Sequence, residues 1–172
     1  MNPKGKKYMV NETLNEFPSY AAGLLKSKKH EWIIVAFEGD KVVKGFWANK
    51  GPDRESVGVT CGYDHIFSLC HKYNCHTLLK FHNHPNAVLS PSDKDLSSAG
   101  VVSKLADEHG YNVISFVCGA GRFVEYHRFF SPKFMPNEAA VATLSEQNGL
   151  SEWSNYRMHV ELGLIFRGRL SE

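Results

Sequence analysis

The sequence predicts a mixed α/β domain, a β-sheet flanked by helices. Three observations point there. Short apolar runs with β-branched and aromatic residues recur, bounded by Gly, Pro, Asn and Asp. Segments with helical spacing of apolar residues lie between them. One strand–helix–strand unit spans residues 77–118, and such a crossover joins parallel strands. The chain has 172 residues, enough for one domain and little more.

Residues 14–29 read as a helix, with Leu14, Phe17, Ala21, Leu24 and Leu25 on one stripe and Pro18 near its start, where proline is tolerated. Residues 31–38 (EWIIVAFE) read as a buried strand. Gly39-Asp40 turns the chain into a returning strand over 41–48. A loop at 49–52 leads to a short strand around 56–61 and a helix over 64–73. Residues 77–82 (TLLKFH) form a short apolar strand, and 83–91 a proline-bounded loop. Residues 92–109 read as a long helix stopped by Gly110. A second hairpin follows, with strands at 113–118 and 122–127 around Gly119-Ala120-Gly121. The core is complete by about Phe130, so residues 1–130 form the domain and 131–172 a C-terminal helical extension. Its helices, at 137–147 and 151–165, carry Trp153, Tyr156, Val160 and Leu164 on one stripe. That stripe packs back on the domain, or else serves a partner or a second copy.

Composition narrows the function classes. Twenty Lys and Arg against 18 Asp and Glu give a net charge of +2. That balance gives no electrostatic case for nucleic acid or an anionic membrane. The longest apolar run, 32–37, is far short of a membrane span. The start, MNPKGKKYMV, is basic but lacks the apolar stretch of a signal peptide. With only four cysteines, Cys61, Cys70, Cys75 and Cys118, the reading is a cytoplasmic protein with reduced thiols. Cys70-His71 and Cys75-His76 fit no structural zinc spacing, so the cysteines are apolar fillers. His65, His109 and His127 are read as surface or cap residues.

The segment KFHNHPNAVLSPSDKD, residues 80–95, carries the chemistry. His82 and His84 stand two apart at a strand end, so both imidazoles face one side and Asn83 faces the other. Asp95 falls in the first turn of the next helix, which starts near that strand end. Two neutral imidazoles and a carboxylate with a fourth position open make the pattern of a catalytic zinc site. A hard ion such as Mg²⁺ would want more oxygens. Ser92, three residues before Asp95, is placed to donate to the oxygen of a tetrahedral intermediate. The same Ser-x-x-Asp also reads as a helix N-cap with its box partner, and one serine can do both.

His-x-His, seven residues, Ser, two residues, Asp is the JAMM signature of the JAB/MPN metalloenzymes, and His82, His84, Ser92 and Asp95 keep every spacing. The phrase HNHPNAVLSPSDKD resembles the bacterial RadC proteins, and residues 30–43 and 110–126 are similar to the first and closing hairpins of that domain. The resemblance covers about residues 14–126 and implies a JAB/MPN-like, cytidine-deaminase-like mixed sheet. It also implies Zn²⁺ as cofactor and hydrolysis of a peptide or isopeptide bond in a protein or peptide substrate. By position in the hairpin, Glu31 matches the family's general acid–base, with Glu38 at the other strand end as competitor. RadC proteins usually continue HNHP with Ser-Gly where this chain has Asn86-Ala87, so the loop over the metal differs in shape. No counterpart of their N-terminal helix–hairpin–helix region is in the sequence, which weakens a role in DNA repair. The alternative readings are a non-hydrolytic protein- or DNA-binding module of repair or mobile elements, and a phosphodiester hydrolase using the same centre.

Overall fold

The computed structural model describes residues 1–131. They form six strands and three helices in the order β1 (Lys6–Thr13), α1 (Phe17–Leu25), β2 (Trp32–Gly39), β3 (Val42–Lys50), α2 (Tyr63–Lys72), β4 (Thr77–Asn83), α3 (Asp93–His109), β5 (Asn112–Gly119) and β6 (Arg122–Phe129). The strands make one open sheet in the order β1-β3-β2-β4-β5-β6. Only β4 and β5 run parallel, and α3 is the crossover between them; every other neighbour is antiparallel. The mixed α/β class read from the sequence is therefore the architecture of the described residues.

Helix α1 covers one face of the sheet, through Phe17, Ala21 and Leu25 against Ile34, Phe81 and Phe116. Helices α2 and α3 cover the other, through Ile66, Cys70, Val102 and Ala106 against Ile33, Val35, Phe37, Leu78 and Val113. Strands β2, β4 and β5 are buried along their whole length. A central strand with both faces covered carries no polar alternation. This is why EWIIVAFE and VISFVC read as continuous apolar runs.

Both hairpins close through two-residue turns with positive φ at each central residue: Asp40 (53°) and Lys41 (67°) in the first, Ala120 (52°) and Gly121 (78°) in the second. That backbone matches the twist of paired strands. Glu38 Oε1 accepts from the Lys41 backbone N–H at 2.7 Å and fixes the first turn.

The structure corrects the sequence reading in several places. Strand β1 was not anticipated. It lies on the outer edge of the sheet, and Lys6, Lys7 and Glu12 break up its apolar pattern, as suits an edge exposed to water. Helix α1 is shorter than 14–29: the Leu14 N–H is taken by Lys41 O at 2.9 Å, outside any helical ladder. No strand forms at 56–61, because side chains claim its backbone. The Asn49 side chain bonds Gly58 O (2.8 Å) and Thr60 N (3.0 Å), and Asp53 Oδ1 caps Glu55 N and Ser56 N. His127 is not a surface residue but is buried in β6. The extension at 132–172, with both its expected helices, lies outside the described residues. Among the described residues, no helix is long and apolar enough to cross a membrane.

Candidate metal centre

The centre is built at the end of β4. His82 sits opposite Ile33 of β2 and Val117 of β5, so the sheet fixes its ring on the α3 face. Beyond the strand, His84 N–H still bonds Cys118 O at 2.8 Å, which holds the second histidine on the same side. Asp95 arrives from α3. Ser92 is the N-cap of that helix, with Asp95 N–H donating to Ser92 Oγ (3.1 Å) and Ser92 N–H donating to Asp95 Oδ2 (2.8 Å). This reciprocal capping box fixes the carboxylate at the first turn.

Three ligand atoms then converge. His82 Nε2 lies 3.1 Å from His84 Nε2 and 3.2 Å from Asp95 Oδ1, and His84 Nε2 lies 3.0 Å from Asp95 Oδ2. Among the described residues this is the one group of three or more His, Cys, Asp or Glu side chains whose ligand atoms gather within 4.8 Å. Tetrahedral bonds of about 2.0–2.1 Å would separate ligand atoms by about 3.3 Å, close to what is seen.

The hydrogen bonds supply a chemical test of fit. His84 Nδ1 is 2.8 Å from the Val88 carbonyl oxygen, which can only accept, so Nδ1 carries the hydrogen. In the neutral ring Nε2 is then a lone pair, aimed at the acceptor oxygen Asp95 Oδ2. Two lone pairs facing at 3.0 Å call for a cation between them, either a proton or a metal ion. Burial opposes charge on His84, but Asp95, the Val88 carbonyl and Glu31 together hold its pKa above the ordinary value. Burial lowers that of His82, which stays a neutral imidazole, the form a metal takes. Burial works against the Asp95 carboxylate, yet the His82 and His84 hydrogen bonds hold its pKa well below the usual range. The group can therefore hold a metal ion.

Glu31 precedes β2 and is only 5% exposed. Its backbone is clamped: its N–H donates to Asp53 O (3.0 Å) and its carbonyl accepts from Gly51 (2.7 Å). Asn83, on the face of β4 away from the histidines, ties this segment to the centre. Its Oδ1 accepts from Trp32 N–H at 2.7 Å, and its Nδ2 donates to His30 O at 3.1 Å. The Glu31 side chain lines an open cleft of about 430 Å³ together with Arg54, Glu55, His84, Asn86 and Ser92. Burial, opposed by His84 and reinforced by Asp95 and Asp53, raises its pKa to about 7.

Glu38 is elsewhere. It pairs with Thr77 at the far end of β4, five residues before His82 and so about 17 Å along the strand. The structure brings His82, His84, Asp95, Ser92 and Glu31 together and leaves Glu38 at the hairpin turn. Cys70, Cys75 and Cys118 are buried free thiols, none of them among the converging ligand atoms, and burial raises the pKa of Cys75 to about 11.

Two further residues were missed in the sequence. Lys80 and Tyr126 line a smaller pocket of about 30 Å³ together with His82, Asp95 and Glu31. Lys80 is 6% exposed, and burial lowers its pKa to about 8. The Tyr126 ring stands edge-on to His82, with centroids 6.0 Å apart. Lys80 was findable, since residues 80, 82 and 84 share one strand parity. Tyr126 was not, because only the pairing of β5 with β6 brings it there.

No protein-family model matches the chain, and no curated protein matches it significantly. Fold and site together define a mixed α/β protein with a buried His-His-Asp group suited to a metal ion.

Proposed function

We propose that the protein is a zinc-dependent hydrolase of the RadC-like JAB/MPN type, cleaving a peptide or isopeptide bond. The observation that carries this reading is the convergence of His82, His84 and Asp95, with the His84 lone pair aimed at the Asp95 carboxylate. Three ligands of this kind leave one position for water or substrate, as catalytic zinc sites do. Zinc held there would supply Lewis acidity to a carbonyl oxygen and lower the pKa of bound water towards about 7.

The chain's own residues supply the rest. Glu31, beside His84 in the cleft and with a pKa of about 7, takes a proton from the attacking water. Water oxygen adds to the carbonyl carbon, the C–N bond breaks, and Glu31 returns the proton to the leaving amine. Ser92 Oγ already accepts from Asp95 N–H, so its own O–H is left to donate to the oxygen on the tetrahedral carbon. The cleft volume, about 430 Å³, is in the range of sites that enclose small substrates.

The test is metal content beside hydrolysis. Purified protein is expected to carry about one equivalent of zinc, and Asp95→Asn to lose it. Glu31→Gln is expected to keep the zinc and lose cleavage of a peptide library read by mass spectrometry. A protein that takes up no zinc, or a Glu31→Gln variant as active as the parent, overturns the proposal. A zinc-loaded parent that cleaves nothing turns the reading to a binding module.

A further inference from the structure

We propose that the outer edge of β1 pairs with β1 of a second copy of this chain, antiparallel and centred on Met9, so that two six-stranded sheets join into one. This goes beyond the hydrolase reading and does not depend on it.

The edge is open. Strand β1 ends the sheet and has a neighbour, β3, on one side only. Among the described residues, no backbone group of residues 7–12 bonds to anything beyond β3. Alternate N–H and C=O groups therefore point outwards without a strand to meet them, which makes a template for a further strand. Met9 stands in the middle of that edge, a large apolar side chain that is 50% exposed.

The order of residues along β1 decides what fits there. Lys6, Tyr8, Val10 and Glu12 share the α1 face. Tyr8 and Val10 pack on the α1 cluster, while Lys6 and Glu12 lie opposite Ala48 and Val43, both members of it. The extra residue between Met9 and Glu12 leaves that alternation intact. Lys7, Met9 and Asn11 take the other face. Two sheets placed edge to edge about a two-fold axis perpendicular to them run antiparallel and keep their faces.

Such an axis at Met9 sets Lys6 against Glu12 at both ends, Tyr8 against Val10 inside them, Lys7 against Asn11, and Met9 against itself. The two members of each pair lie on one face. Opposite charges and aromatic–β-branched contacts are the cross-strand pairs that stabilise neighbouring strands. Tyr8 already stacks on Phe46, so the pairing carries the apolar layer under α1 on to Val10 of the second copy. Glu12 has no ion pair among the described residues, and the second copy's Lys6 supplies one. A shift of two residues either way parts Lys6 from Glu12. A shift of one sets side chains of opposite faces against each other. The strand is complementary to itself in one register.

The experiment is sedimentation equilibrium of the full chain from micromolar to millimolar concentration. A monomer–dimer equilibrium is expected. Lys6→Glu sets a glutamate against Glu12 at both ends and should weaken the dimer roughly tenfold or more. Lys6→Glu combined with Glu12→Lys should restore it. Lys6 is exposed, so thermal melts of dilute protein should match the parent and separate lost pairing from lost folding. Met9→Cys should cross-link to its own copy with oxidised glutathione as oxidant. Facing Cα atoms of antiparallel strands are about 4.5–5.5 Å apart, inside the range of about 4.4–6.8 Å for a disulfide. Asn11→Cys faces Lys7 of the second copy and should not cross-link. A chain that stays monomeric at the highest concentration overturns the proposal. So does a dimer that Lys6→Glu leaves intact, or one that the paired charge exchange does not restore.

Discussion

Replacing Asn83 by alanine isolates the link between the metal strand and the proposed base. Asn83 is almost fully buried and lies on the face of β4 opposite His82. Its Oδ1 takes the Trp32 N–H and its Nδ2 serves the His30 carbonyl. Alanine leaves the buried Trp32 donor unpaired, at a cost of about 1–3 kcal/mol. His30 is half-exposed, so its carbonyl can turn to water and adds little. With the small void left by the side chain, the loss is about 2–3 kcal/mol. That corresponds to a fall in Tm of about 5–10 °C for a chain of this length. Urea unfolding followed by tryptophan fluorescence measures it, with the m-value unchanged. Zinc content should persist, because the ligand side chains point the other way. Hydrolysis should fall, because the segment that carries Glu31 is no longer pinned to the end of β4. A loss below about 0.5 kcal/mol, or loss of zinc with stability intact, would refute this account of Asn83.

Three other outcomes follow from the same geometry. Zinc at a thousandfold excess over its Kd should stabilise the parent by about 4 kcal/mol, seen as a rise in Tm; Asp95→Asn should show no such rise while its amide oxygen still caps Ser92 N–H. In metal-free protein, the raised Glu31 pKa means that the folded state binds more protons between about 4.5 and about 7, so stability falls as pH rises through that window. Glu31→Gln should then be more stable than the parent at pH of about 8, by about 1–2 kcal/mol after allowing for solvent screening, and equal to it at pH of about 4; thermal melts at the two pH values check both. Ala87 holds φ of 64° in the loop over the centre, so Ala87→Gly should relieve about 1–2 kcal/mol of left-handed strain against about 0.5–1 kcal/mol of added chain entropy. The net rise in stability should show in urea midpoints, and a fall would mean that the alanine methyl packs usefully.

The sequence alone showed the centre because its parts are local. His82 and His84 follow from strand parity, and Ser92 with Asp95 from the grammar of a helix start. The parallel pairing of β4 with β5 followed from the helix between them, and the second hairpin from Gly119-Ala120-Gly121. The choice between Glu31 and Glu38 was different. Both sit at ends of one strand, and only its antiparallel register with β4 puts Ile33 beside His82 and Glu38 beside Thr77.

Strand β1 escaped notice because an edge strand exposed to water does not need an apolar alternation to pair. The segment at 56–61 looked like a strand because β-branched residues are common there, yet Asn49 and Asp53 side chains took its backbone groups. Lys80 looked like an ordinary charge within TLLKFH. That it is buried beside Tyr126 depends on β5, β6 and α3 closing over it, and no window of the sequence contains them all. Local rules therefore determined which residues could be ligands and how each was presented. Tertiary packing decided which carboxylate joined them and which buried donors stand beside them, because proximity between strands is set by register and burial across the whole sheet.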